Sequence, residues 1–229
     1  MNYQWLETSV ETPIVELRRY RLHPGRREDL IDLFEERLIE PQEAVGARIL
    51  GTFRADADPD AFVWLRGFTH MGARKAALEA FYGGPTWRAH REAANATMID
   101  SDDVHLMRAI APEGGLPADT RLPRPGERAR ALRYTLLLSE LRYPEWVGQY
   151  HLWLRLFLRK AGADPFASFA TLPAENNFRA LPVWRNRHVH LSVLKSAAPL
   201  PALPHELRTM LVNEPERIVV SPTARSRLR

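Results

Sequence analysis

The chain is 229 residues long, with 45% apolar and 26% charged residues, a balance that suits a soluble globular protein and excludes a wholly disordered one. It has no cysteine, which excludes disulfides, zinc thiolates, iron–sulfur clusters and a cysteine nucleophile. The net charge of +4 hides an asymmetry: residues 1–111 hold 14 basic against 18 acidic side chains, and residues 112–229 hold 18 against 10. The basic residues are scattered, apart from Arg225, Arg227 and Arg229, so nucleic acid is not an expected partner. Two docked halves of opposite charge account for the asymmetry equally well. No apolar run approaches the ~20 residues of a membrane span. The opening MNYQWLETSVETP lacks the apolar core of a secretory signal. A cytoplasmic protein without membrane contact is the expectation.

In chain order, Ile14–Leu22 reads as a strand, and His23–Gly25 (HPG) is a turn signal. Arg26–Ile39 carries a helical stripe of Leu30, Ile31, Phe34 and Leu38, with Pro41 as its stop. Arg48–Phe53 and Phe62–Phe68 read as strands around ADADPD. Gly72–Tyr82 and Trp87–Met98 read as helices separated by Gly83–Gly84–Pro85, and Val104–Arg108 as a strand. Ile110–Arg128 is rich in Pro and Gly and has no apolar period, so it reads as a linker. Beyond it, Ala131–Leu138 is a strand and Pro144–Ala161 the clearest amphipathic helix. Phe166–Leu172 and His188–Leu194 are strands, Leu203–Val212 a short helix and Arg217–Val220 a last strand. Both halves thus read β-α-β-β-α-β. The predicted fold is α+β: two tandem ferredoxin-like modules, 1–111 and 130–229, joined by a linker at 112–129. Packing the two sheets face to face buries the surface that the helices leave bare, and encloses a barrel within one chain.

Four stretches resemble the NIPSNAP family of the dimeric α/β-barrel superfamily: ELRRYRLHPG (16–25), FVWLRGF (62–68), FYGGPTWRAH (81–90) and NATMIDSDDV (95–104). Residues 166–177 match more loosely. The resemblance implies the same tandem barrel. It implies little chemistry, because the superfamily includes oxygenases, isomerases, haem proteins and members without a settled activity.

Strand alternation sorts side chains by face. With Val63, Leu65, Val189, Leu191 and Val193 assigned to the helices, the barrel interior receives Glu16, Arg18, Tyr20, Trp64, Arg66, His188, His190 and Ser192. Aligning ELRRY with ALRYT adds Arg133 and Thr135. Three arginines and one glutamate leave a positive surplus beside flat aromatic walls. This set suits a small anionic, partly apolar organic molecule bound inside the barrel, with or without cofactor-free catalysis. The alternative is an interaction or scaffold protein whose interior ion pairs are structural. His188 and His190, at i, i+2, could present two metal ligands, but a third is not evident, so neither metal nor cofactor is expected. His90, Arg91 and Asn95 form a second-tier polar group that could stand at the mouth of the pocket, with packing and capping as the favoured reading. Asp100-Ser101-Asp102-Asp103 lacks the glycine and distal glutamate of a calcium loop and reads as an Asx-rich turn. Leu152 and Leu156 lie off the main stripe of their helix. They mark a surface for the linker, the other repeat or another chain, and a homodimer through outer helix faces is expected.

Overall fold

The computed structural model describes residues 12–111, 114–116, 121–127 and 132–228. The first half comprises β1 (Ile14–Leu22), α1 (Arg27–Leu33), α2 (Ile39–Ala44), β2 (Arg48–Ala55), β3 (Ala61–Phe68), α3 (Met71–Tyr82), α4 (Pro85–Asn95) and β4 (Met98–Ala109). The second comprises β5 (Tyr134–Glu140), α5 (Val147–Lys160), β6 (Pro165–Thr171), β7 (Val189–Leu194), α6 (His205–Thr209) and β8 (Glu216–Pro222). Each half is a ferredoxin-like module. The strand order is β1-β3-β2-β8-β5-β7-β6-β4, with β4 pairing back to β1, so the eight strands close into an antiparallel barrel. The modules join at two seams, β2 with β8 and β4 with β6. Closure leaves no free sheet edge.

Two elements differ locally from their sequence signals. Pro41 does not stop the first helix. A π turn, Phe34–Leu38, links α1 to α2, and Pro41 falls in the first turn of α2, where a missing N–H costs little. Asp100–Asp103 lies inside β4 rather than in a turn. A register shift against β1 between Arg19 and Arg21 absorbs it, and Asp100 Oδ1 accepts the Asp102 N–H at 2.9 Å. The predicted strand start at Ala131 and much of the linker lie outside the described residues.

The barrel interior is largely apolar, with the buried His105 on the same face of β4 as Met107. Val15 and Leu17, Phe53, Val63 and Leu65, Met107, Tyr134 and Leu136, Phe169, Leu191 and Val193, and Val220 meet there, drawn from all eight strands. An eight-stranded barrel is just wide enough for side chains to fill it. This reverses the expected facing. Glu16, Arg18, Tyr20, Trp64 and Arg66 point outward under α1–α4, while Thr135, His190 and Ser192 also lie on the outward face of the second module's sheet. Phe34 of the π turn packs edge-on against Phe62 (5.5 Å) and Trp64 (4.9 Å), which fixes that face. The physical reason is that both faces of each sheet are buried, so alternation gives two sets without saying which set is inside.

Residues 223–228 run back against β2. Thr223 Oγ1 meets Thr52 Oγ1 at 2.6 Å, and Leu228 joins the barrel core beside Gly51. Arg225 pairs with Glu40, and Arg227 with Glu43 at 2.5 Å. Two of the three tail arginines are therefore buried partners of α2 and not a free basic patch.

Candidate functional site

Glu16 sits at the centre of a fully buried cluster between the first sheet and its helices. Its Oε2 accepts Arg18 Nη1 at 3.0 Å and Arg66 Nε at 2.7 Å, and its Oε1 accepts Arg74 Nε at 2.7 Å. Burial alone would raise the carboxyl pKa. The guanidiniums of Arg66, Arg18 and Arg74 overcome it and hold Glu16 well below the usual carboxylate range. Burial pushes the Arg74 guanidinium down against the attraction of Glu16. The surplus of positive charge is met by aromatic faces: Arg66 lies 5.2 Å from the Trp64 ring, and Arg18 5.5 Å from both Tyr20 and Trp64. Arg18 Nε also donates to Tyr20 Oη at 3.0 Å, and Arg66 Nη1 to Gln42 Oε1 at 3.1 Å.

Arg74 joins this cluster to the second module. Its Nη1 donates to Asn176 Oδ1 (3.1 Å) and Asn177 Oδ1 (2.7 Å), in the segment between β6 and β7. Asn177 Nδ2 donates to the Met71 carbonyl at 2.6 Å, and Phe178 stacks on Tyr82 at 5.8 Å. Further along, Trp184 Nε1 donates to Asp103 Oδ1 at 2.8 Å, and the Arg187 guanidinium lies 5.2 Å from the Trp184 ring. Residues 172–188 are thus pinned across the β4–β6 seam.

Beneath this segment lies a cleft of about 680 Å³, inside the usual range for small-molecule sites. Leu106 and Arg108 of β4 and Ala170 of β6 line one side of it, with Pro144, Glu145 and Val147 from the approach to α5. Val183, Trp184 and Leu172 add apolar wall, and Arg179, Arg185 and His188 add polar groups. Arg108 Nε is buried with no hydrogen-bond partner. The lining holds Arg108, Arg179 and Arg185 but only two carboxylates, Glu145 and Glu175, so it carries a positive surplus. Chemically the cleft offers an apolar trough with a guanidinium at its wall, the arrangement that accepts a carboxylate or phenolate on an apolar body.

Of the residues singled out in the sequence, only His188 lines this cleft. Glu16, Arg18, Tyr20, Trp64 and Arg66 come together as expected, but as a sealed ion-paired cluster outside the barrel. Arg133 does not join them. It lies just before β5 with its side chain 64% exposed, 3.1 Å from Asp56. His190 packs against α5, its Nε2 3.0 Å from His151 Nδ1. Burial and the neighbouring His151 lower its pKa well below 6.5, so it is neutral. His90 is half-buried on α4, while Arg91 and Asn95 are exposed there, apart from both cluster and cleft. Among the described residues no group of three or more His, Cys, Asp or Glu could hold a metal, and no helix is long and apolar enough to cross a membrane.

Arg74 and Arg108 carried signals that sequence reasoning passed over. Arg74 falls in the i, i+3, i+4, i+7 stripe with Ala77, Leu78 and Phe81, a charge on a buried helix face. Arg108 follows Val104 and Leu106 on one face of β4, a charge ending an apolar row.

Two ferredoxin-like modules closing one barrel, with a cleft outside the seam, define the fold as an α/β barrel formed within one chain. The NIPSNAP family model matches residues 15–112, which make up the first module. Over its whole length the fold is similar to a candidate monooxygenase from Fusobacterium nucleatum (6% identity, TM-score 0.54, 93% of each chain). It is also similar to one from Lactobacillus acidophilus (13% identity, TM-score 0.52, 93% of this chain and 94% of that one). A NIPSNAP family protein of unknown function from Agrobacterium tumefaciens aligns with 45% of this chain and 92% of its own (18% identity, TM-score 0.41). No curated protein matches.

Proposed function

We propose that the chain binds a small organic anion with an apolar body, held in the cleft under residues 172–188 and not inside the barrel. The observation that carries this reading is Arg108, a guanidinium whose Nε is buried without a partner in an otherwise largely apolar wall. A buried donor left unpaired costs free energy, and a ligand carboxylate would recover it. The Glu16 cluster then has a supporting role: through Arg74 it fixes Asn176 and Asn177, and with them the wall of the cleft.

The test is titration calorimetry against aliphatic and aromatic carboxylates, with 1-naphthoate and decanoate as probes. At least one should bind, and Arg108→Met should weaken it roughly ten- to hundredfold, the worth of one charge-assisted hydrogen bond. Its melting temperature should stay near wild type. Absence of binding across the panel at millimolar concentration, or equal binding by Arg108→Met, would overturn the reading.

A further inference from the structure

The outer face of α5 and of the turn leading into it carries Glu145, Gln149, Leu152, Trp153, Leu156 and Lys160, all exposed. Their spacing puts them on one stripe, opposite the face that buries Tyr150, Leu154 and Leu158. Leu152, Trp153 and Leu156 remain 44%, 42% and 62% exposed, an apolar centre on an otherwise polar helix surface. Neither Glu145 nor Lys160 has an ion-pair partner among the described residues.

We infer that this stripe is the contact surface for a second copy of the chain, docked with its α5 antiparallel. The order of residues carries the inference, because the stripe is complementary to itself when reversed. A two-fold axis passing between Leu152 and Trp153 sets Leu152 against the partner's Trp153 and Gln149 against the partner's Leu156. It sets Glu145 against the partner's Lys160, and symmetry repeats each pair. Acidic and basic ends therefore meet twice, around an apolar middle. A parallel arrangement would put like charges together at both ends. A partner helix of uniform charge would meet repulsion at one end. A two-fold contact of this kind is isologous and closes as a dimer.

The interface has a consequence for the cleft, since Glu145 also lines it. Dimerisation places the partner's Lys160 at its rim and adds a cation where an anion would enter. The helix spans about 21 Å, so the contact falls at the small end of specific interfaces and forms a dimer at tens of micromolar rather than nanomolar concentration.

Sedimentation velocity and light scattering over ~1–200 µM test this directly. Wild type should pass from monomer to dimer in that range. Leu156→Glu should stay monomeric with an unchanged melting temperature, since the side chain is exposed. Glu145→Lys and Lys160→Glu should each weaken the dimer at least tenfold, and the double variant should restore it to within about threefold. Rescue by the double exchange identifies the antiparallel register. A wild type still monomeric at ~200 µM would give the face to another protein and overturn the inference. So would a dimer that survives Leu156→Glu, or a double variant no better than the single ones.

Discussion

Replacing Glu16 by Gln keeps the shape of the side chain and removes its charge. Three guanidiniums then remain buried with no counter-charge. Each bond to Glu16 spans 2.7–3.0 Å, and charge-assisted bonds contribute about 1.5–3 kcal/mol apiece, which sets an upper bound of several kcal/mol. The Gln carbonyl retains one acceptor, so the loss falls below that bound. Breaking a buried pair by neutralising one partner costs about 3–5 kcal/mol, and this is the expected effect. For a chain of this size it lowers the melting temperature by roughly 6–20 °C. Adding Arg66→Met removes one of the repelling charges and should recover about 1 kcal/mol or more. Arg133→Met is the control: its exposed pair with Asp56 should contribute less than about 1 kcal/mol. Urea unfolding of wild type and the three variants measures all of this. A Glu16→Gln protein within about 1 kcal/mol of wild type, or one less affected than Arg133→Met, would refute the account of the cluster.

Acid should unfold the protein in two stages. The folded-state pKa of His190 lies below its usual 6.5, so its contribution is complete above pH 6.5 and is lost as pH falls below it, by up to about 1.4 kcal/mol per pH unit. His190→Gln should flatten urea midpoints measured from pH 7 to 5, and an unchanged slope would count against a buried neutral imidazole. Glu16 has the same sign in a lower window. Its folded pKa is depressed, so its stabilisation is full above about pH 4.5 and declines below it, and Glu16→Gln should lose that part of the acid response. Leu228→Ala should cost about 2 kcal/mol by emptying a site in the barrel core beside Gly51, and a loss under about 0.5 kcal/mol would show that the barrel does not depend on this segment.

Element order and architecture were legible because their signals are local. Ile14–Leu22 is a strand with the bounds its alternation suggested, and the apolar spacing of 144–161 gives α5 and the short turn before it. The facing of the sheet was not legible. In β3, Val63 and Leu65 alternate with Trp64 and Arg66, and both sets end fully buried. What separates them is that the centre of the closed barrel is filled mainly by apolar side chains, whereas the helix side supplies Arg74, Gln42 and Tyr82 as partners. Those partners lie far from Glu16 in sequence, and no local pattern couples them. The cleft was hidden for a related reason. Its cover, residues 172–188, has no period, and it is placed by Asn176, Asn177 and Trp184 reaching groups of the other module.

The most direct test of the proposed cleft is a crystal structure of the chain soaked with 1-naphthoate or decanoate. The carboxylate should lie within hydrogen-bond distance of Arg108 Nε, with its apolar body against Leu106, Ala170 and Trp184, and with residues 172–188 still pinned to Arg74. Ligand density inside the barrel, or a filled cleft in which Arg108 turns away from the carboxylate, would contradict it.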